Sequence, residues 1–365
     1  MHAAVALAQE LVRVDTAGDR ERLLVQALAG RLEQSGLAVE RYPLAEGRAS
    51  LVASIGTPKI TLTGHLDTVP FDPERWSVSP TAAIVRNGRL FGRGASDMKA
   101  GVAALVVAVE RHGQYRHACE GIRLVLTAGE ELGCLGARTL VDAGAAGGGE
   151  ILVVAEPTGN EPHLGHKGAT WYEVVARGKG AHGSRPDLGH NAIIDLARVA
   201  LALTEGAPDV AHPQLGRATI NVGTFRGGTQ PNLVPDEARM TVDVRTVPGF
   251  DPAVVEALIE RSGRGRLEVR RILDLPSVWS SGASEPIRKA LRAISRVRRA
   301  VELPGLSYFT DASVLSAAGA YEATMVLGPG DAEEAHAVNE SCSVRLIEEA
   351  VEIYGALLNE WCAKQ

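Results

Sequence analysis

Cysteine is scarce. The four in this chain, Cys119, Cys134, Cys342 and Cys362, lie far apart with no CxxC pair. A disulfide framework needs a denser pattern in a smaller chain, so the expectation is four reduced thiols in a cytoplasmic protein. Basic charge is not in excess either: 38 Lys and Arg face 44 Asp and Glu, for a net charge of −6. That balance argues against a nucleic-acid partner, which would want a basic face. No apolar run approaches the roughly 20 residues of a membrane span; the longest, Val102 to Val109, suits a buried helix. The amphipathic start, with Gln9, Glu10 and Arg13, reads as neither a signal nor a transit peptide. HExxH and GxSxG are absent. One GxGxxG match, starting at Gly178, runs into Pro186 before any helix opens, which excludes a dinucleotide site there.

What remains is a 365-residue chain, 45% hydrophobic, long enough for one large or two ordinary domains. Strands and helices alternate in its first half. Ala3 to Val14 and Asp19 to Gln34 read as helices, with Asp19 as N-cap. Ile60 to Thr63, Ile122 to Ala128 and Ile151 to Ala155 read as apolar strands around a buried helix from Gly101 to Arg111. Continuous apolar strands separated by helices predict a sheet covered on both faces, the α/β architecture. The middle follows another order, β-α-β-β-α-β, over about 110 residues, the pattern of a small two-layer domain. Beyond it a helix (Pro286 to Arg299), a short strand (Ala323 to Leu327) and a closing helix (Val344 to Trp361) resume the first sheet. The expected organisation is a discontinuous α/β domain, residues 1–171 and 280–365, interrupted by an α+β domain of residues 172–279.

Polar chemistry gathers just past the ends of the buried strands, where α/β sheets bind ligands. His65 and Asp67 follow the first, Glu130 and Glu131 the second, Glu156 the third and His336 the last, and Asp97 sits in a Gly-rich turn before the buried helix. A mix of imidazole and carboxylate without thiolate suits zinc, cobalt or manganese. Asp97, Glu131 and Glu156 bring −3 and two divalent ions +4, so the charge count favours two metals. Without metal, so many carboxylates in one cleft would repel one another and drive their pKa values up.

Five ordered blocks resemble the M20 metallopeptidases, the group that includes acetylornithine deacetylase, succinyl-diaminopimelate desuccinylase and glutamate carboxypeptidase. They are Gly64-His-Leu-Asp-Thr-Val-Pro, Gly92-Arg-Gly-Ala-Ser-Asp-Met-Lys-Ala-Gly, Thr127-Ala-Gly-Glu-Glu-Leu-Gly, Glu156-Pro-Thr and Ala335-His-Ala-Val-Asn-Glu. The resemblance implies a zinc-peptidase catalytic domain with an inserted ferredoxin-like lid and dimerisation domain, working as a homodimer. It implies two divalent ions, zinc foremost, bridged by Asp97, with His65 and Glu156 on one and Glu131 and His336 on the other. It makes Glu130 the general base and Asp67 the group that orients His65. In the inserted domain Gly180-Ala-His-Gly-Ser-Arg-Pro presents His182 as an oxyanion stabiliser reaching in from the partner subunit. Asn232 and Arg245 are its substrate contacts, and Thr310-Asp311 matches a pocket segment, with Thr310 as a further contact. The implied activity is cleavage of the amide bond of a small N-acylated amino acid. A glutamate-type carboxypeptidase or dipeptidase is the alternative, and a non-catalytic amino-acid-binding relative a third. Val69-Pro-Phe-Asp, Glu156-Pro-Thr, His166-Lys-Gly and Leu327-Gly-Pro-Gly look most like acetylornithine deacetylase, whereas His336-Ala-Val-Asn-Glu looks more like the desuccinylase and carboxypeptidase form.

Overall fold

The computed structural model describes residues 2–45, 47–113, 121–206, 208–299, 305–318 and 321–362. Two compact units emerge. The first comprises Met1–Gly165, Trp279–Gly305 and Thr310–Gln365; the second comprises His166–Val278 with Leu306–Phe309.

The first unit is built on a six-stranded sheet: β1 (Ala38–Ala45), β2 (Arg48–Ile55), β3 (Ile60–His65), β4 (Ile122–Thr127), β5 (Ile151–Val154) and β6 (Ala323–Val326), in the spatial order β1-β2-β4-β3-β5-β6. Strands β4, β3, β5 and β6 run parallel, in register Ile60 with Ile122 and with Ile151. They read as continuous apolar runs because helices cover both faces; β3 is buried at all six residues. The hairpin β1–β2 adds an antiparallel edge that the sequence reading did not anticipate. Helix Ala100–Gly113 packs against helices Ala3–Val12 and Val344–Cys362, with Val102 to Val109 at most 2% exposed.

Two glycines let this helix and the loop after β6 approach the end of β5. A Cβ on Gly101 would come within 2.3 Å of the Ala155 carbonyl oxygen, and one on Gly328 within 2.2 Å of the same atom. The second helix begins at Glu21 rather than Asp19. Arg20 occupies the cap position without a side-chain bond, and the Gly47 carbonyl accepts from Arg22 N at 2.9 Å, doing the work expected of the Asp19 carboxylate. Cys134, Cys342 and Cys362 are buried free thiols, and Cys119 lies outside the described residues.

The second unit is an antiparallel sheet of strands Thr219–Gly227, Glu237–Thr246, Gly168–Arg177 and Arg266–Leu275, in that spatial order. Numbered along the chain this is 2-3-1-4, the ferredoxin-like arrangement. Helices Ala192–Glu205 and Ala253–Ser262 cover one face, packing on Tyr172, Val174, Met240, Val242 and Val244. Asn191 caps the first of them, accepting from Ile193 N and Ile194 N at 3.0 and 3.2 Å. Among the described residues no helix is long and apolar enough to cross a membrane.

Candidate metal centre

The parallel strands of the first unit deliver their C-terminal ends to one place. His65 is the last residue of β3, Glu130 and Glu131 follow β4, and Glu156 follows β5 by two residues. Asp97 comes from a distorted helical turn, Ala95–Lys99, where Asp97 and Met98 leave helical geometry and the peptide bond between them is cis. His336 lies in the loop after β6 with a positive φ of 61°.

Five of these side chains, His65, Asp97, Glu131, Glu156 and His336, converge. His65 Nε2 lies 3.0 Å from Asp97 Oδ1 and 3.8 Å from Glu156 Oε1. His336 Nε2 lies 3.3 Å from Asp97 Oδ2 and 2.9 Å from Glu131 Oε1. Ligand atoms of His65, Asp97 and Glu131 all fall within 4.8 Å of one another. Asp97 thus turns one oxygen to each histidine, and each histidine faces one further carboxylate.

The donor set itself shows what this arrangement lacks. His65 Nδ1 is 3.0 Å from the carbonyl oxygen of Asp67, which can only accept, so Nδ1 carries the proton. A neutral His65 then aims the lone pair of Nε2 at a carboxylate oxygen. Either a second proton or a cation must stand between them. Without metal, protons fill that role. Burial opposes the charged form of His65, yet its bond to Asp97 and the charge of Glu156 hold its pKa well above the ordinary value. Bonds to Asp97 and Glu131 push His336 up to about 10. Burial alone would raise Asp97, but the two histidines hold it well below the usual carboxylate range. Burial, reinforced by Asp97, lifts Glu156, and burial lifts Glu130. Protons held on His65, His336, Glu156 and Glu130 around an ionised Asp97, with imidazole nitrogens aimed inward, mark a place that fits divalent cations of borderline hardness.

Asp67 meets His65 through its main-chain carbonyl rather than its carboxylate. Its carboxylate is 3.7 Å from His65 Nδ1, farther than its own carbonyl. The carboxylate instead accepts from Glu130 N and Glu131 N, both at 3.1 Å, and so holds the turn that carries these two glutamates. The reason is that β3 ends at His65, so the alternation of side chains that would have placed Asp67 beside it no longer applies. Thr310 is fully buried, its Oγ1 accepting from Ala312 N at 3.1 Å. Neighbouring Asp311, 2% exposed, bonds Thr127 at the end of β4, and burial raises its carboxyl to about 6.

Three expected residues belong to the second unit. His182 is exposed, and its Nδ1 accepts from Ser184 N at 3.1 Å, which in the neutral ring leaves the proton on Nε2. Strand pairing puts His182 opposite Leu233, and Gly183 N donates to Asn232 O at 2.7 Å, so His182 and Asn232 sit on adjoining segments. Arg245 bonds Asp243 through Nε at 3.1 Å and lies over the Phe309 ring at 5.8 Å. Its terminal nitrogens have no hydrogen bond among the described residues.

Sequence reading assigned no role to Glu340, Arg93 or Lys99, all buried beside the centre. Arg93 and Lys99 stand inside the second of the five blocks and Glu340 inside the last, and that placement was the available signal.

The chain is similar to known proteins over nearly its whole length. A Staphylococcus epidermidis protein named "Probable succinyl-diaminopimelate desuccinylase" is 30% identical over 99% of this chain and 98% of its own length. An acetylornithine deacetylase of Vibrio cholerae is 28% identical over 93% of this chain and 91% of its own. Among solved structures, an M20 family metallo-carboxypeptidase from Sulfolobus solfataricus superposes with a TM-score of 0.81 at 19% identity, covering 99% of both chains. With the model of peptidase family M20/M25/M40 matched over residues 61–360, the chain belongs to that family and is a metal-dependent hydrolase.

Proposed function

We propose that the chain hydrolyses the amide bond of a small N-acylated amino acid at a two-metal centre, as an acetylornithine deacetylase or succinyl-diaminopimelate desuccinylase would. The observation that carries this reading is Asp97, whose two oxygens each face a different histidine. Asp97 would bridge two divalent ions, zinc foremost, with His65 and Glu156 on one and Glu131 and His336 on the other. When bound, such ions would polarise the scissile carbonyl and lower the pKa of a water.

The chain's own residues then handle the proton and the charge. Glu130, only 5% exposed and with a raised pKa, takes a proton from the attacking water as the C–O bond forms, then returns it to the nitrogen as the C–N bond breaks. The products are a carboxylate and a free amine. His182, with its proton on Nε2, donates to the developing oxyanion. Arg245 pairs with the substrate carboxylate, and Asn232 and Thr310 are the further substrate contacts that the resemblance implies. Asp67 keeps the base and a ligand in place through their amides. The second unit serves as lid and dimerisation domain of a cytoplasmic homodimer, with His182 crossing to the partner's site.

The test is metal analysis of purified protein together with amine release from N-acetyl, N-succinyl and dipeptide substrates. Two metals and turnover of one acyl series support the reading. Dipeptide turnover alone shifts it to a carboxypeptidase or dipeptidase, a second reading favoured by the His336-Ala-Val-Asn-Glu segment. Metal without turnover of any of them leaves a binding protein.

A further inference from the structure

The loop that carries Asp97 is irregular, so its amides lack helical carbonyl partners. One buried carboxylate supplies them. Glu340 is fully buried, and its Oε1 accepts from Ser96 N at 2.7 Å and Asp97 N at 3.0 Å. Its Oε2 accepts from Gly94 N at 2.9 Å and from Arg93 Nη1 at 2.6 Å. Its own carbonyl accepts from Gly92 N at 3.0 Å. Arg93 extends the chain of contacts: Nη2 donates to the His336 carbonyl at 3.2 Å, and the guanidinium lies over the Trp76 ring at 5.2 Å. Ser96 and Asp331 exchange two further bonds, Ser96 Oγ donating to Asp331 O at 2.9 Å and accepting from Asp331 N at 2.7 Å.

The consequence is geometric. Asp97 must present one oxygen to His65 and the other to His336, and a shift of the turn by about 1 Å spoils this, as misplaced active-site groups generally do. His336 sits in the left-handed region, which a non-glycine residue holds only when its surroundings over-determine it. Both ligand-bearing loops are tied to the same carboxylate, one through three main-chain amides and the other through Arg93. A buried carboxylate is costly to desolvate, and here four donors, one a cation, satisfy it.

We propose that Glu340, acting with Arg93, is a positioning residue of the metal centre that holds Asp97 between the two histidines through the backbone. This rests on the two-metal reading. It assigns Glu340 no ligand bond and no proton transfer. A merely structural Glu340 would anchor only the short strand Ser341–Ser343. Glu334 supplies the control, because its carboxylate anchors that strand by accepting from Ser341 N at 3.0 Å and Arg89 Nη2 at 3.1 Å without touching the Asp97 turn.

Metal-free wild type, Glu340→Gln and Glu334→Gln are compared in two measurements: zinc affinity against a chromophoric chelator, and hydrogen exchange of the amides of Gly94, Ser96 and Asp97. Gln keeps the shape of the side chain but turns an NH2 group toward donors. The expected result is a loss of zinc affinity of about 10- to 100-fold in Glu340→Gln, the range for groups that orient ligands, with faster exchange at the three amides. Glu334→Gln changes neither. Zinc affinity unchanged in Glu340→Gln, or lost equally in both variants, overturns the proposal. If Glu340→Gln fails to fold, Glu340→Asp replaces it under the same criteria, since it keeps the charge opposite Arg93 while withdrawing the oxygens from the amides. Wild type that takes up no zinc fails the two-metal reading itself, whereas wild-type uptake with no difference in Glu340→Gln fails the positioning role alone.

Discussion

The two units treat charge in opposite ways. In the first, His65, Glu130, Glu156, Asp311 and Glu340 are each at most 5% exposed, and several carboxylates face one another with too few cations to balance them. In the second, the face of the sheet away from the helices carries a ladder of opposite charges in water: Arg177 between Glu237 and Glu268, Arg239 on Glu237, and Arg270 on Glu173. Exposed pairs of this kind contribute about 0–1 kcal/mol each and ask nothing of a ligand. Buried like charges cost stability unless something neutralises them, and they persist where that cost is part of a function. The contrast separates the charges clustered around the candidate centre from the solvated ones without reference to any motif.

The sharpest way to test the contrast is within one dipeptide. Glu130→Gln should retain metal and lose at least about 10²-fold in turnover, the usual worth of a general base. Glu131→Gln, which removes the carboxylate facing His336 at 2.9 Å, should weaken metal uptake instead. Metal content and kcat measured on both variants decide it, and interchanged phenotypes would reverse the assignment of the pair.

A further effect is expected from the second unit, through its exposed His182. If His182 acts across a dimer, as proposed, inactive His182→Ala and inactive Glu130→Gln proteins should regain part of the wild-type rate once their subunits exchange, because a hybrid dimer would contain one site with both groups intact. Verified exchange without recovery means that His182 acts within its own chain or not at all. A histidine that only caps its turn through Ser184 predicts little loss of rate in His182→Ala.

Much of this was readable in the chain. The parallel core strands β3, β4 and β5 announced themselves as apolar runs, and the proposed ligands on them as polar residues at or just past their ends: His65 closes β3, Glu131 lies four residues past β4 and Glu156 two past β5. Two kinds of feature were harder to read: an edge strand and a residue whose partner is distant in sequence. The β1–β2 hairpin was missed because Ala38–Ala45 is an edge strand, without a continuous apolar run to mark it. Asp67 was placed by strand alternation, which stopped two residues too early. Glu340 looks like an ordinary surface charge until Ser96 and Asp97, more than 240 residues away, are seen donating to it. Spacing reveals which side chains share a face, but not which main-chain amides are left without partners.

The remaining comparison sets one buried ion pair against one exposed pair. Glu21 in the first unit is fully buried against Arg48 at 2.8 Å, and its second oxygen, Oε2, has no hydrogen-bond partner among the described residues. Burial, only partly offset by its own backbone bond and by Arg48, raises its pKa to about 7 from 4.5. The folded state therefore holds this proton more tightly than the unfolded state. Between roughly pH 4.5 and 7 the unfolded chain is ionised while the folded one stays protonated, so stability falls as pH rises through that window and levels off above it. Glu21→Gln cannot ionise, and the fall in Tm across the window should be reduced by this group's share. Arg270 in the second unit, 71% exposed and 3.0 Å from Glu173, is the counterpart. Arg270→Gln should cost no more than about 1 kcal/mol, with the difference shrinking as salt is added. Tm of wild type and both variants from pH 5 to 8, at low and high salt, distinguishes them. A Glu21→Gln profile parallel to wild type would remove the buried pair from the unit's pH response, and an Arg270→Gln loss larger than that of Glu21→Gln would invert the contrast between the two units.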